Sequence, residues 1–276
     1  IPLLYINNPS IYIKYDPNPD PTADCPVSFY DNNLKAAVEQ ELGISNPMES
    51  DMLGLTSLDV SSSGIADLAG LEYALNLTQL ILHDNQISNI SPIAELANLT
   101  ELSLYNNQIA QLPAMSGMTN LLSLDIGLNP LTNVNGVGSL MNLDRLWANN
   151  CQINDITALA SLVSLSQLNL NDNQIGNISA LANLPNLTDL LLNNNQISDI
   201  SALSTLEGIE QLFLGNNQIN NIPALANLSN LTYLLLEDNP LSIGTYCIYL
   251  PLILTNNPGI DLTPNHLPGD CDADCW

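Results

Sequence analysis

Residues 165–186 read LSQLNLNDNQIGNISALANLPN, and the same frame recurs along most of the chain at a strict interval of 22. Its first position is held by Leu55, Leu77, Leu99, Leu121, Leu143, Leu165, Leu187, Ile209 and Leu231. That makes eight full units over 55–230 and a ninth that starts and then diverges. Unit positions 1, 4, 6, 11, 14, 17 and 20 are apolar (Leu165, Leu168, Leu170, Ile175, Ile178, Leu181 and Leu184). Twenty-two residues cannot bury seven such side chains alone, but stacked neighbours can. Unit positions 3–7 read as a short strand, with 4 and 6 facing in and 3, 5 and 7 facing out. Stacking then pairs these strands into one parallel sheet.

Position 9 is asparagine at Asn85, Asn107, Asn129, Asn173, Asn195, Asn217 and Asn239. An amide carries both donors and an acceptor, so it can bond the loop backbones of its own and adjacent turns. Cys151 takes this place in one unit and reads as a small buried substitute rather than a reactive thiol.

The phrase LANLTELSLYNNQI, residues 96–109, resembles the leucine-rich-repeat pattern L-x-x-L-x-L-x-x-N-x-I in its 22-residue bacterial class, as in internalin-like surface proteins. The resemblance covers about residues 30–240. It implies an α/β solenoid: a leucine-rich-repeat right-handed superhelix with the parallel β-sheet on the concave face and short 3-10 or extended segments on the convex side. A helical N-terminal cap and a helix/strand C-terminal cap complete the expected architecture. Protein or glycan binding is implied less firmly, because function resides in sites grafted on a fold.

Both ends depart from the repeat. Asp31 is a good helix N-cap and Gly43 a good stop, with Leu34, Val38 and Leu42 on one face and Lys35 spaced to pair with Glu39; a capping helix is expected over 31–43. At the other end YCIYLPLILTNNPGIDL, residues 246–262, reads as a helical segment, an Asn-Asn-Pro turn and a short strand. IPLLYINNPSIYI, residues 1–13, aligns with residues 250–262 at a shift of 249, and Pro2, Leu3, Asn7, Asn8, Pro9 and Ile11 are identical to their counterparts. The chain is therefore expected to open on the tail of another such cap, in a parent protein carrying tandem modules; an unrelated upstream solenoid or a shared local motif is the alternative. The expected division is 1–25 as preceding cap tail and junction, 26–54 as N-terminal cap, 55–239 as repeats and 240–276 as C-terminal cap with an acidic, Cys-containing tail. In the tandem reading Cys247 pairs with Cys271.

Composition narrows the function. The formal charge is −25, and Lys14, Lys35 and Arg145 are the only basic residues. So few cations speak against nucleic-acid binding and against attraction to anionic membranes, and no apolar run reaches membrane-spanning length. The surface suits cations, basic partners or a saline medium. The lack of an initiator Met and of a leader reads as a piece of a longer precursor, and the flanking cysteines suggest disulfide-stapled caps in a secreted, extracellular protein. With two histidines far apart in sequence, no nucleophile motif and no phosphate loop, nothing points to an enzyme.

The outward column at position 5 turns apolar towards the C-terminal half. Trp147, Leu191, Phe213 and Leu235, with neighbouring Tyr233 and Arg145, form the candidate contact patch for a protein partner or another copy of the chain. Ordinary strand propensity is the competing explanation. The polar column at position 7, His83 and Asn171 among it, could bind glycan or stand as solvated turn edges. Asp16, Asp20 and Asp24, and Asp270, Asp272 and Asp274, place carboxylates at spacings calcium can use, although the glycine and closing Glu of an EF-hand loop are missing; a rigid acidic linker is the competing reading. The N-x-S/T matches at Asn76, Asn98, Asn177 and elsewhere are written by the repeat itself and say little about glycosylation.

Overall fold

The structure, a computed structural model, describes residues 24–262. Within them, nine three-residue strands follow one another in a single open sheet in chain order: β1 (Ser57–Asp59), β2 (Gln79–Ile81), β3 (Glu101–Ser103), β4 (Ser123–Asp125), β5 (Arg145–Trp147), β6 (Gln167–Asn169), β7 (Asp189–Leu191), β8 (Gln211–Phe213) and β9 (Tyr233–Leu235). Every pairing is parallel and joins residues 22 apart, as in Leu58 with Leu80 and Leu212 with Leu234. The central residue of each strand is buried, and the apolar positions of all units merge into one continuous aliphatic core. The returning segments form 3-10 turns such as Thr157–Ser161, Ser179–Asn183 and Ser201–Thr205. A strand occupies only about 4.8 Å along the stack. The 3-10 side needs more width, so the sheet lines the concave face of the solenoid.

Three rows recur along the stack, and the first bonds each turn to the one before. Asn173 donates from Nδ2 to the carbonyls of Leu170 in its own turn and Ala148 in the turn before, and its Oδ1 accepts from Ile153 N at 3.0 Å. The same set recurs at Asn85, Asn107, Asn129, Asn195, Asn217 and Asn239. At position 8 the backbone enters the left-handed region in every turn, φ 51 to 59° from Ser62 to Asp238. Asn and Asp dominate there because they tolerate it; Ser62 and Leu128 are the exceptions. At position 13, Asn89, Asp155, Asn177 and Asp199 accept from the backbone N–H two residues on and start the 3-10 turns.

Cys151 breaks the first row. Its thiol donates to the carbonyls of Ile126 and Asn149, at 3.6 and 3.5 Å, but offers no amide oxygen to the preceding turn. Leu131 N, which would bond that oxygen, instead bonds Asn129 O two residues back. The same local turn occurs at Leu241 and Asn239, beyond which no rung follows. In both turns the intervening residue is proline, Pro130 or Pro240, where six other units have glutamine whose N–H bonds the turn before. Proline, which has no N–H, stands where the ladder is interrupted.

Both solenoid ends carry helices. In α1 (Asn32–Leu42), Asp31 accepts from Asn33 N and Leu34 N, Gly43 closes the helix at φ 66°, and Leu34 and Val38 lie buried on the first turn. Asp31 also accepts from Ala66 N at 2.8 Å, tying the cap to the repeats. At the other end α2 (Ile243–Asn256) runs through Pro251, so the first Asn of the Asn-Asn-Pro phrase is its last residue. Asn257 is buried: its Oδ1 accepts from Leu231 N, and Nδ2 donates to Leu228 O and Ile253 O. Asn256 donates to Ala226 O. Gly259, at φ 94°, then turns the chain so that Asp261 bridges Tyr233 in parallel along the edge of β9.

Candidate partner-binding face

Positions 3, 5 and 7 of each turn face out from the concave sheet, and the residues there change character along it. Over β1–β4 the middle column is mainly polar, with Asp59, Ser103 and Asp125. Asp59 accepts from Ser61, whose backbone N–H and hydroxyl hold its carboxyl below the usual carboxylate range. Asp125 behaves oppositely: burial beside the sheet pushes it up, against a bond from Gly127 N. His83 bonds Asp84 at 2.8 Å at the edge of this half.

From β5 the column is aromatic and aliphatic. Trp147, Leu191 and Phe213 are each half-buried, and Arg145, exposed, stands with its guanidinium carbon 5.9 Å from the Trp147 ring centroid. Tyr233 stacks on Phe213 with centroids 4.7 Å apart at 28°. Leu235 differs from the sequence expectation. It holds an outward position yet is only 8% exposed, so it supports the patch rather than offering surface. Asn169 interrupts the apolar run and turns its Oδ1 to Asn171 N. Strand period alone placed these side chains on one face; the ring stacking and the burial of Leu235 depend on neighbours in adjoining turns.

The other predicted sites are less concentrated. Asp24 accepts from Ser50 N and Ser50 Oγ, which lower its pKa and tie the entry of the chain to the first turn. Its companions Asp16, Asp20, Asp270, Asp272 and Asp274 lie outside the described residues. Among the described residues, no group of three or more His, Cys, Asp or Glu is placed to hold a metal ion. Cys247 lies on α2, and Cys271 again lies outside the described residues. The Cys151 thiol is pushed up by burial and by the Asp125 charge, which keeps it protonated. Asn76, Asn98, Asn186 and Asn230 donate their amides to backbone carbonyls of the preceding turn. Among the described residues no helix is long and apolar enough to cross a membrane.

Sequence reasoning left Glu237 in the polar column at position 7 and passed over the other acidic residues that border the apolar run. Asp144, Asp189 and Glu210 lie along one border, at positions 2 and 3; Asp172, Glu237 and Asp238 lie along the other, at positions 7 and 8. The repeat frame would have located them, since it assigns each a column.

The family model described as Leucine Rich repeats (2 copies) matches residues 75–117, 141–183, 163–205 and 185–227. No curated protein matches the chain in sequence. Among solved structures, the chain is similar to an internalin C2 from Listeria monocytogenes, at 35% identity and a TM-score of 0.71, covering 76% of this chain and 96% of that one. An internalin (inlF) from the same organism matches at 27% identity and TM-score 0.52, over 90% of this chain and 94% of that one. The ectodomain of the plant membrane receptor kinase GASSHO1/SCHENGEN3 from Arabidopsis thaliana, solved in complex with CASPARIAN STRIP INTEGRITY FACTOR 2, matches at 29% identity and TM-score 0.58, over 66% of this chain and 24% of that one. With its 22-residue beat, asparagine row and capped parallel sheet, the chain belongs to the leucine-rich-repeat proteins of the internalin-like class, which are protein-interaction modules and not enzymes.

Proposed function

We propose that the chain is an extracellular module that binds a protein partner on the concave face of β5–β9. One observation carries the reading: Trp147, Leu191 and Phe213 stand partly exposed in one row at outward positions, where folding of the solenoid asks for no apolar residue. Trp, Tyr and Arg are the side chains on which interfaces concentrate their energy. The plant ectodomain solved in complex with CASPARIAN STRIP INTEGRITY FACTOR 2 supports a solenoid of this kind holding a partner, and the Listeria internalins support extracellular placement. The test is site-specific photo-crosslinking from position 191 and, as control, position 95 on the opposite side. Adducts with extracellular protein of the source organism are expected from 191 alone. Equal labelling from 95, or none from 191, would refute the face.

A second reading, the tandem or self-assembling array, is favoured by the roles of Asn256 and Asn257. These residues tie α2 to the last turns, and the same Asn-Asn-Pro phrase recurs at Asn7, Asn8 and Pro9. In this reading neighbouring modules join end to end in a fibre or sheath, and Cys247 pairs with Cys271 to staple the cap. The bonding of Cys247 as a disulfide supports that staple. A non-reducing peptide map is expected to yield a 247–271 cross-link; a 25–247 cross-link would overturn the scheme. Solution scattering of the native protein separates the readings, since isolated monomers contradict assembly. Glycan binding along position 7 and calcium at the two Asp-rich segments belong to the same set of proposals. For calcium, a thermal shift reversed by a chelator is the expected sign.

A further inference from the structure

The two acidic borders specify more than an apolar partner. The row from Trp147 to Tyr233 spans four strand spacings, about 19 Å. Between unit positions 3 and 7 the face is about 13 Å across, at about 3.3 Å per residue. Among the described residues Arg145, 3.9 Å from Asp144, is the one cation on these borders; the other ion pairs, Lys35–Glu39 and His83–Asp84, lie away from β6–β9. Asp189 is bonded by Gln167 and Thr188, which are neutral, and Glu210 and Glu237 are in none of those pairs. From β6 to β9 the strip is therefore a hydrophobic floor between two negative edges that no ion pair compensates.

An extended peptide strand is too narrow to reach both edges at once. An α-helix, about 10–12 Å across with its side chains, spans the floor. Laid across the strands, it advances about 5.4 Å per turn against about 4.8 Å per strand. Successive apolar residues of the helix thus meet successive strands over the length of the patch. About 13 residues cover it at 1.5 Å each. We infer that this face takes a basic amphipathic α-helix, with its apolar stripe on Trp147, Leu191 and Phe213 and Lys or Arg on both flanks against Asp189 and Glu210 on one side and Asp172 and Glu237 on the other. The inference rests on the concave-face reading and adds the shape and charge of the partner. It uses the helix-in-groove mode of recognition, in which an apolar face is read at i, i+3, i+4 and i+7.

The probes are three synthetic 14-residue peptides: leucine and lysine with leucines at helical spacing, the same composition in strict alternation, and the helical pattern with glutamate for lysine. Binding is followed by calorimetry on the intact chain, and helix formation by circular dichroism. The helical lysine peptide is expected to bind at least tenfold more tightly than the alternating one and to gain helicity. The glutamate peptide is expected not to bind. Glu210→Gln with Glu237→Gln should weaken binding about tenfold at low salt, whereas Glu41→Gln with Glu95→Gln, the same change in charge away from the sheet face, should change it less than twofold. Equal binding of the alternating peptide, equal effects of the two charge pairs, or no binding by the helical peptide each overturns the inference. Phe213→Ala separates the two levels. If it weakens the alternating peptide, the face binds but its partner is not helical; if it alters no peptide, the concave-face reading itself fails.

Discussion

At the scale of single residues, the asparagine row and its one cysteine give a direct comparison. Asn173→Ala strands Ile153 N and the carbonyls of Ala148 and Leu170 in the interior. At about 1–3 kcal/mol for a buried unsatisfied group, we expect a loss of about 3 kcal/mol in urea unfolding with an unchanged m-value. Cys151→Ala removes only weak sulfur bonds, and the preceding turn already satisfies itself through Leu131 and Asn129, so a loss below about 1 kcal/mol is expected. Two further positions oppose the repeat consensus. Leu128 holds φ 53° with its side chain 40% exposed; Leu128→Asn should stabilise by about 0.5–1 kcal/mol because Asn tolerates the left-handed region. Gly136 stands where five other units carry alanine, but its missing Cβ would press on the Pro113 carbonyl and lie 2.6 Å from Leu112 Cβ. Gly136→Ala, a consensus change, should therefore destabilise by about 1–3 kcal/mol in the same measurement. The residue types of both were legible in the sequence; the backbone that makes one a strained site and the other a close approach was not.

At the scale of elements, the caps were read better than their fastenings. Asp31, Gly43 and the Leu34–Val38 face gave α1 from sequence, but the bond from Ala66 N to Asp31, 35 residues away, comes from the docked helix. Burial raises the Asp31 carboxyl, and the N–H groups of Ala66, Leu34 and Asn33 outweigh it, so its folded pKa is lowered. Its contribution is thus complete above the unfolded carboxylate value, roughly 3.9, and lost as pH falls through the lower folded value. Hydrogen exchange should show α1 opening first in acid, and Asp31→Ala should cost about 1 kcal/mol at neutral pH with that acid dependence removed. At the other end Asn257 performs for the last turn what the asparagine row performs within the repeats, although it lies outside the 22-residue frame and only its position under α2 reveals it.

At the scale of the whole molecule, charge and one-dimensional architecture dominate. With a formal charge of −25, self-repulsion works against the compact state. Raising ionic strength from 0.01 to 0.15 M, which shortens the screening length from about 30 to about 8 Å, should raise the melting temperature measurably; an unchanged value would mean that local bonds already offset the repulsion. The sequence by itself determined the 22-residue period, the inward set of positions, the parallel register and hence the solenoid, because each of these follows from burying seven apolar residues per turn against identical neighbours. It also placed Trp147, Leu191 and Phe213 in one outward row, since a strand alternates its faces. Tertiary structure alone decided that Leu235 is buried and that Tyr233 stacks on Phe213. Those properties arise between side chains of adjoining turns, at distances set by the packing of one turn on the next, and a single unit carries no trace of them.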